Sequence, residues 1–326
     1  MKNCDEIRRI LVITLSNTGD IILTTPLIEA LLRQFPGVKL DIVVGPNGKE
    51  VFEKHNKVSK IFIYDKHTNL FEKFRLIKKL RKMHYDMAVD LKNSGIPFLI
   101  GARLKSKVIG RRKGRIHKKD QHLAIIESMG INIRDVGLNI EIDKEDFENI
   151  EVLLENIKSK FVVISCGAKS HTKRWPTSYF AALIDSIKND LGYEVILVGK
   201  DEGDFPDSDR VVVRKVKKIM QTEPIDFLGK TNLRELAALI KKSSLLITND
   251  SAPLHIASAL NTPTIAIFGP TDEVKYGPLA SKSIVLRKRL KCAPCEKAQC
   301  RYNYECMRQI TVDDAINAVK EILDLK

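Results

Sequence analysis

The chain has 326 residues, 44% hydrophobic and 29% charged, enough material for two packed domains. No apolar run approaches the roughly 20 residues that span a bilayer, and the polar residues 1–9 ahead of the short run 10–15 do not make a signal peptide, so a cytoplasmic protein is expected. The formal net charge of +14 points to anionic partners, and its densest stretch, 105–119, carries Lys105, Lys107, Arg111, Arg112, Lys113, Arg115, Lys118 and Lys119 without one acid.

Residues 10–15 read as a buried strand, followed by a helix with Leu23, Leu27, Leu31 and Phe35 on one face, stopped by Pro36-Gly37. Strands follow at 40–44 and 61–64. A helix with Leu70, Phe74, Ile77 and Leu80 turned inward leads to a strand at 87–91, and 107–110 reads as a short fifth strand. After a charged helical segment, 144–158, the pattern restarts with an apolar strand at 161–165. Pro176 opens a helix with Phe180, Leu183, Ile184 and Ile187 inward. Strands at 194–198, 245–248 and 264–268 come next, with a helix over 233–240. The last helix opens on Thr311-Val312-Asp313-Asp314, which has capping-box spacing. Strands separated by helices pair in parallel through right-handed crossovers. The expectation is an α/β protein with two doubly wound units in tandem, joined near 150–160.

Open α/β sheets bind ligands beyond the carboxyl ends of their strands, so the loops after strands carry the chemistry. Ser16-Asn17-Thr18-Gly19-Asp20 follows the first strand. Its single glycine is not a dinucleotide fingerprint. Asp20 reads either as a first-turn helix acid or as a general base. Asn249-Asp250-Ser251-Ala252-Pro253-Leu254-His255 follows the strand at 245–248 and opens a helix whose free N–H groups suit a diphosphate, with His255 one turn in. The third loop, residues 166–176, supplies hydroxyls, Thr172 among them, and the cations Lys169, Lys173 and Arg174, suited to a leaving pyrophosphate.

Together these segments resemble glycosyltransferase family 9, the lipopolysaccharide heptosyltransferases. The likeness is carried by 10–20 with Thr25-Pro26, by Lys173-Arg174-Trp175-Pro176, and by 248–255 running on to Phe268-Gly269-Pro270-Thr271-Asp272. It implies a GT-B fold, two Rossmann-like doubly wound domains facing a cleft. Residues 1–155 would take the acceptor and 156–310 the nucleotide sugar, with 311–326 a helix crossing back to the first domain. By likeness Asp20 is the catalytic base, Lys173 contacts the donor phosphates, and Lys169, Thr172 and the Asp250-Ser251-Ala252 turn with His255 complete the donor site. Asp201 or Glu202 would meet the donor ribose. Ser16, Thr18 and Gly19 would meet the acceptor, as would Arg111, Arg112, Lys113 and Arg115. Ala252 departs from members with glycine there, which matters only if that residue needs positive φ.

The implied reaction is a single inverting displacement moving a heptose from an ADP-sugar to a lipid A–Kdo-type acidic glycolipid, at the inner face of the cytoplasmic membrane. No DxD-type metal site is evident, so no catalytic cofactor is expected. Cys292, Cys295, Cys300 and Cys306 have C-x2-C-x4-C-x5-C spacing, which in a reducing compartment suits a structural zinc, against disulfides or packed free thiols. A second nucleotide sugar and a non-catalytic binding module are the alternatives. A nucleic-acid binder, suggested by the charge, lacks a recognition motif and, at 6% aromatics, a stacking surface.

Overall fold

The structure, a computed structural model, describes residues 7–107, 114–132, 136–205 and 208–325. Residues 108–110 of the expected fifth strand and Arg111, Arg112 and Lys113 lie outside them. The chain forms two compact units, Met1–Glu141 and Ile142–Lys326. No helix of the described residues is long and apolar enough to cross a membrane.

In the first unit β1 (Arg9–Ile13) is followed by α1 (Thr18–Ile22), α2 (Thr25–Gln34), β2 (Lys39–Val44), α3 (Lys49–Phe52), β3 (Val58–Ile63) and α4 (Leu70–Arg81). Next come β4 (Met87–Asp90), α5 (Ile96–Leu99), β5 (Leu104–Lys105) and α6 (Lys118–Glu127). Among the described residues the fifth strand is Leu104–Lys105, ahead of the expected 107–110. The sheet is parallel, in the order β3-β2-β1-β4-β5. Strand order reverses between β1 and β4, so the topological switch point lies beyond the ends of those two strands.

α4 departs from the expected inward face. Leu80 is buried and Leu76 and Ile77 pack on the core, whereas Leu70 and Phe74 are exposed.

In the second unit α7 (Lys144–Leu154) precedes β6 (Phe161–Ser165), α8 (Thr177–Asn189), β7 (Glu194–Leu197), α9 (Asp209–Ile219), β8 (Ile225–Asp226) and α10 (Leu233–Lys242). It continues through β9 (Leu245–Asn249), α11 (Ala252–Leu260), β10 (Thr264–Ile267), α12 (Glu273–Tyr276), β11 (Ser283–Leu286), α13 (Glu305–Arg308) and α14 (Val312–Ile322). Its parallel sheet runs β11-β10-β9-β6-β7-β8, with the switch point between β6 and β9. β6 and β9 are buried along their whole length, and their continuous apolar runs reflect helices packed on both faces.

Two elements near the expected boundaries pack within the second unit. α7 packs on α10, with its Asp146 paired to Arg234 at 3.1 Å in a nearly solvent-free contact, and so joins the second unit. α14, opened by the expected Thr311–Asp314 capping box, packs on α8, β10 and β11 of its own unit. Its Ala315, Ala318, Val319 and Ile322 help to close that unit's core.

Candidate active site

At the switch point of the first sheet, the chain leaves β1 through Ser16 and Asn17 and turns into α1. Asn17, not Asp20, is the N-cap; Asp20 sits in the first turn and accepts a hydrogen bond from Asn17 Nδ2 at 2.9 Å. Thr18 Oγ1 donates to the Asn47 carbonyl (3.3 Å) in the loop after β2, tying two loops of this edge together. A Cβ on Gly45 would stand 3.0 Å from the Ser16 Cα, so a side chain there would push the loop after β1 outward by a few tenths of an ångström.

The loop after β4 supplies a residue that the sequence alone did not single out. Lys92 Nζ donates to Ser16 Oγ at 2.6 Å across the switch point and lies 5.6 Å from the centre of the Tyr64 ring. Burial lowers the Lys92 pKa against the pull of Asp90. Asp90 is itself saturated: it is 6% exposed and accepts from the Lys92 and Ser94 N–H groups and from the Ser94 hydroxyl. Lys92 carries no motif; its place follows from a contact between distant loops.

Behind Asp20 lies His122 of α6, buried, with Nδ1 3.1 Å from the Leu23 carbonyl. Burial pushes its pKa down from 6.5 to about 4; the Leu23 carbonyl and Asp20 oppose this, while Lys118 and His117 add to it. Between about pH 6.5 and 4 the unfolded chain therefore binds a proton that the folded chain refuses. Stability from this residue is complete above pH 6.5 and is lost as the pH falls toward 4, a swing of about 3 kcal/mol. Urea midpoints of the parent protein should fall over that range more steeply than those of His122→Asn. Equal slopes would refute the assignment.

At the switch point of the second sheet, Lys173 and Asp250 meet from the loops after β6 and β9, with Nζ 2.7 Å from Oδ2. Asp250 is 5% exposed at its side chain and Lys173 30%. The scaffold under this pair is Asn249, fully buried at the end of β9. Its Oδ1 accepts from the Trp175 N–H (3.1 Å), and its Nδ2 donates to the carbonyls of Cys166 (2.8 Å) and Gly167 (3.3 Å). One amide thus clamps both ends of the Lys173 loop. Trp175 anchors that loop from below, donating from Nε1 to the Ile310 carbonyl at 2.9 Å.

Ser251 is the N-cap of α11 but makes no side-chain cap; its hydroxyl pairs with Thr248 Oγ1 at 3.0 Å. The first-turn amides of this nine-residue helix are not spent on that side chain, so its positive dipole end can meet an anion beside Lys173. Ala252 is not among the residues with positive φ, so the missing glycine costs nothing here.

Comparison with known proteins shows the family. The family model for glycosyltransferase family 9 (heptosyltransferase) matches residues 73–305. The chain belongs to glycosyltransferase family 9. It is 30% identical to lipopolysaccharide heptosyltransferase 3 of Escherichia coli K12, over 80% of this chain and 82% of that one. A family 9 glycosyltransferase from Veillonella parvula superposes with a TM-score of 0.84 at 26% identity, covering 97% of each chain. The E. coli ADP-heptose lps heptosyltransferase II superposes with a TM-score of 0.80 at 20% identity, over 97% of this chain and 98% of that one. The fold is accordingly GT-B, with two parallel-sheet α/β domains, and the protein is a glycosyltransferase.

The other expected site residues fall into place unevenly. Thr172 is buried, bonded to Ser170 Oγ (2.8 Å) and to the Lys297 carbonyl (3.4 Å), while Lys169 is exposed and His255 buried in α11. Arg174 donates from Nε and Nη2 to the Ala168 carbonyl (3.0 and 2.7 Å), which makes it a loop brace. Asp201 and Glu202 are exposed. Asp201 forms a two-pronged pair with Arg210, and Glu202 lies 3.5 Å from Lys200.

The acid nearer the sheet is Asp209, whose carboxylate accepts the Lys200 N–H at 3.0 Å. It fills the space where a Cβ on Gly167 would stand, and burial raises its pKa. Its sequence signal was slight, a Ser208-Asp209 helix start. In the first unit Ser16 and Arg115 are exposed and Thr18 and Gly19 half-buried.

The four cysteines line one pocket with Thr172 and Tyr304, beside the donor loop. Cys300 Sγ accepts from the Tyr302 and Tyr304 N–H groups at 3.4 and 3.3 Å. Among the described residues, however, no three His, Cys, Asp or Glu side chains are placed to hold a metal ion. The expected closed zinc site is therefore not assembled. Cys306 belongs to the hydrophobic core, against Gly269, and burial with the neighbouring thiols pushes its pKa up to about 11.

Proposed function

We propose that this protein transfers a heptose from ADP-heptose to the inner core of lipopolysaccharide, with inversion, at the cytoplasmic face of the membrane. The observation that carries this reading is Lys173 held beside the uncapped start of α11 at the switch point of the second sheet, in a chain of this family. Such a constellation neutralises a diphosphate where the leaving group gains charge. In the proposed roles, Asp20 takes the proton of the acceptor hydroxyl as it attacks the anomeric carbon, and the C–O bond to ADP breaks in the same displacement. Lys173 and the α11 amides then carry the ADP charge. Lys92 and Ser16, beside Asp20, meet the acidic acceptor, and Asp209 meets the donor ribose.

The test is ADP release from ADP-heptose with a truncated, Kdo-bearing lipid acceptor, with the lipid product analysed by mass. Acceptor-dependent ADP release and a lipid heavier by one heptose are expected. ADP-heptose binding without transfer to any lipid acceptor would overturn the reading. Transfer from another nucleotide sugar alone would keep the reaction and change the donor.

A further inference from the structure

α4 carries a second apolar stripe that its own domain does not bury. Leu70 is 83% exposed, Phe71 70% and Phe74 68%, all in the first turns of a twelve-residue helix. At about 100° per residue Phe71 and Phe74 face away from Leu76 and Leu80, which pack inward, while Leu70 continues the arc of the inward-packed Ile77 and is left exposed at the start of the helix. α5 adds Phe98 at 66% and Leu99 at 58% exposure, and the two helices touch. Scattered apolar residues on a surface need no explanation, but five large ones on two adjoining short helices form a patch.

The charge around the patch is mostly positive. Arg75, Lys78 and Arg81 share the outward face of α4, and all three are exposed. The helix has one acid, Glu72, and Arg75 lies 3.9 Å from it. Lys105 Nζ stands 5.5 Å from the centre of the Phe98 ring. Leucine and phenylalanine on a helix face rimmed by lysine and arginine is the pattern that rests in the headgroup region of an anionic bilayer. A second copy of this chain fits poorly, because pairing two such faces sets cation against cation.

The position of the patch gives it a use. α4 and α5 both begin where the chain leaves the carboxyl ends of β3 and β4, the edge of the sheet that also carries Ser16, Asp20 and Lys92. A surface held against Phe71, Phe74 and Phe98 would thus meet the same edge as those polar residues.

We infer that the exposed face of α4 and α5 docks on an anionic lipid surface, presenting a membrane-embedded acceptor to the Asp20 edge. This rests on the glycolipid reading of the acceptor. Its test is independent of that reading, because it needs neither donor nor acceptor. The full chain should co-sediment with vesicles of phosphatidylethanolamine and phosphatidylglycerol, and hardly with phosphatidylcholine alone. The triple variant Leu70→Ser/Phe71→Ser/Phe74→Ser should lose at least about tenfold in vesicle affinity. Arg75→Gln/Lys78→Gln should bind like the parent in high salt and more weakly in low salt. Both variants should keep the parent's unfolding temperature and ADP affinity. Equal vesicle binding by parent and triple variant overturns the inference, as does failure of the parent to bind anionic vesicles. It is also overturned if sedimentation velocity shows the triple substitution converting a dimer to a monomer, which would make the patch an interface between chains.

Discussion

Replacing Asp20 by Asn should lower turnover by about 10²- to 10⁴-fold, the range expected when a positioned general base is lost. The substitution is nearly isosteric, and the contact from Asn17 Nδ2 at 2.9 Å can be kept by the amide oxygen. Fold and donor affinity should therefore be unchanged, with the loss confined to kcat. The choice of Asp20 over its neighbour follows from hydrogen-bond capacity. Asp90 also stands at the end of a central strand, but two N–H groups and a hydroxyl already occupy its carboxylate, and burial closes it off. Asp20 is only half-buried and, among the described residues, has one side-chain donor, so lone pairs remain for an acceptor hydroxyl. Pre-steady-state measurement of ADP formation with saturating acceptor would read the chemical step directly. If Asp20→Asn turns over like the parent while Asp90→Asn does not, the base has been assigned to the wrong carboxylate.

What could be read from the sequence was what a single segment determines. Buried parallel strands are apolar along most of their length, so 161–165 and 245–248 stand out before any partner is known. The capping signal at Thr311 is equally local, and it held. α4 failed for an instructive reason. Leu70, Phe74, Ile77 and Leu80 share one arc by spacing, yet only Ile77 and Leu80 meet the core; periodicity gives a face of the helix and cannot tell how far along it the core reaches. The residues missed at the sites, Lys92, Asn249 and Asp209, share a different property. Each acts through a partner on another strand's loop: Ser16 for Lys92, Trp175 and Cys166 for Asn249, Gly167 for Asp209. Such pairings are products of strand order, and a motif on either loop is silent about them. Asn249 was in view as part of a motif, yet its clamp on the Lys173 loop could not be foreseen.

Lys173→Met should lower kcat/KM for the donor by about 10²- to 10³-fold, the cost of removing one positioned stabiliser of developing negative charge. The ground state complicates the experiment. Lys173 is paired at 2.7 Å with a carboxylate that is 5% exposed, so the single variant strands Asp250 in a nearly dry site. A fall in activity could then be a fall in folding, and Lys173→Met is expected to unfold at a lower temperature than the parent. The double variant Lys173→Met/Asp250→Asn removes the stranded charge and should regain most of that stability. Turnover should not return with it, because the amide restores packing but supplies no cation to departing ADP. The split between binding and chemistry is equally diagnostic. ADP affinity measured calorimetrically should fall less than kcat, since charge on the diphosphate grows as the glycosidic bond breaks and Lys173 is worth most at that point. If the double variant recovers both stability and turnover, Lys173 serves only to neutralise Asp250, and the cation for the leaving group must come from elsewhere on the loop; Lys169 is the one to test, because the adjacent Arg174 braces the Ala168 carbonyl.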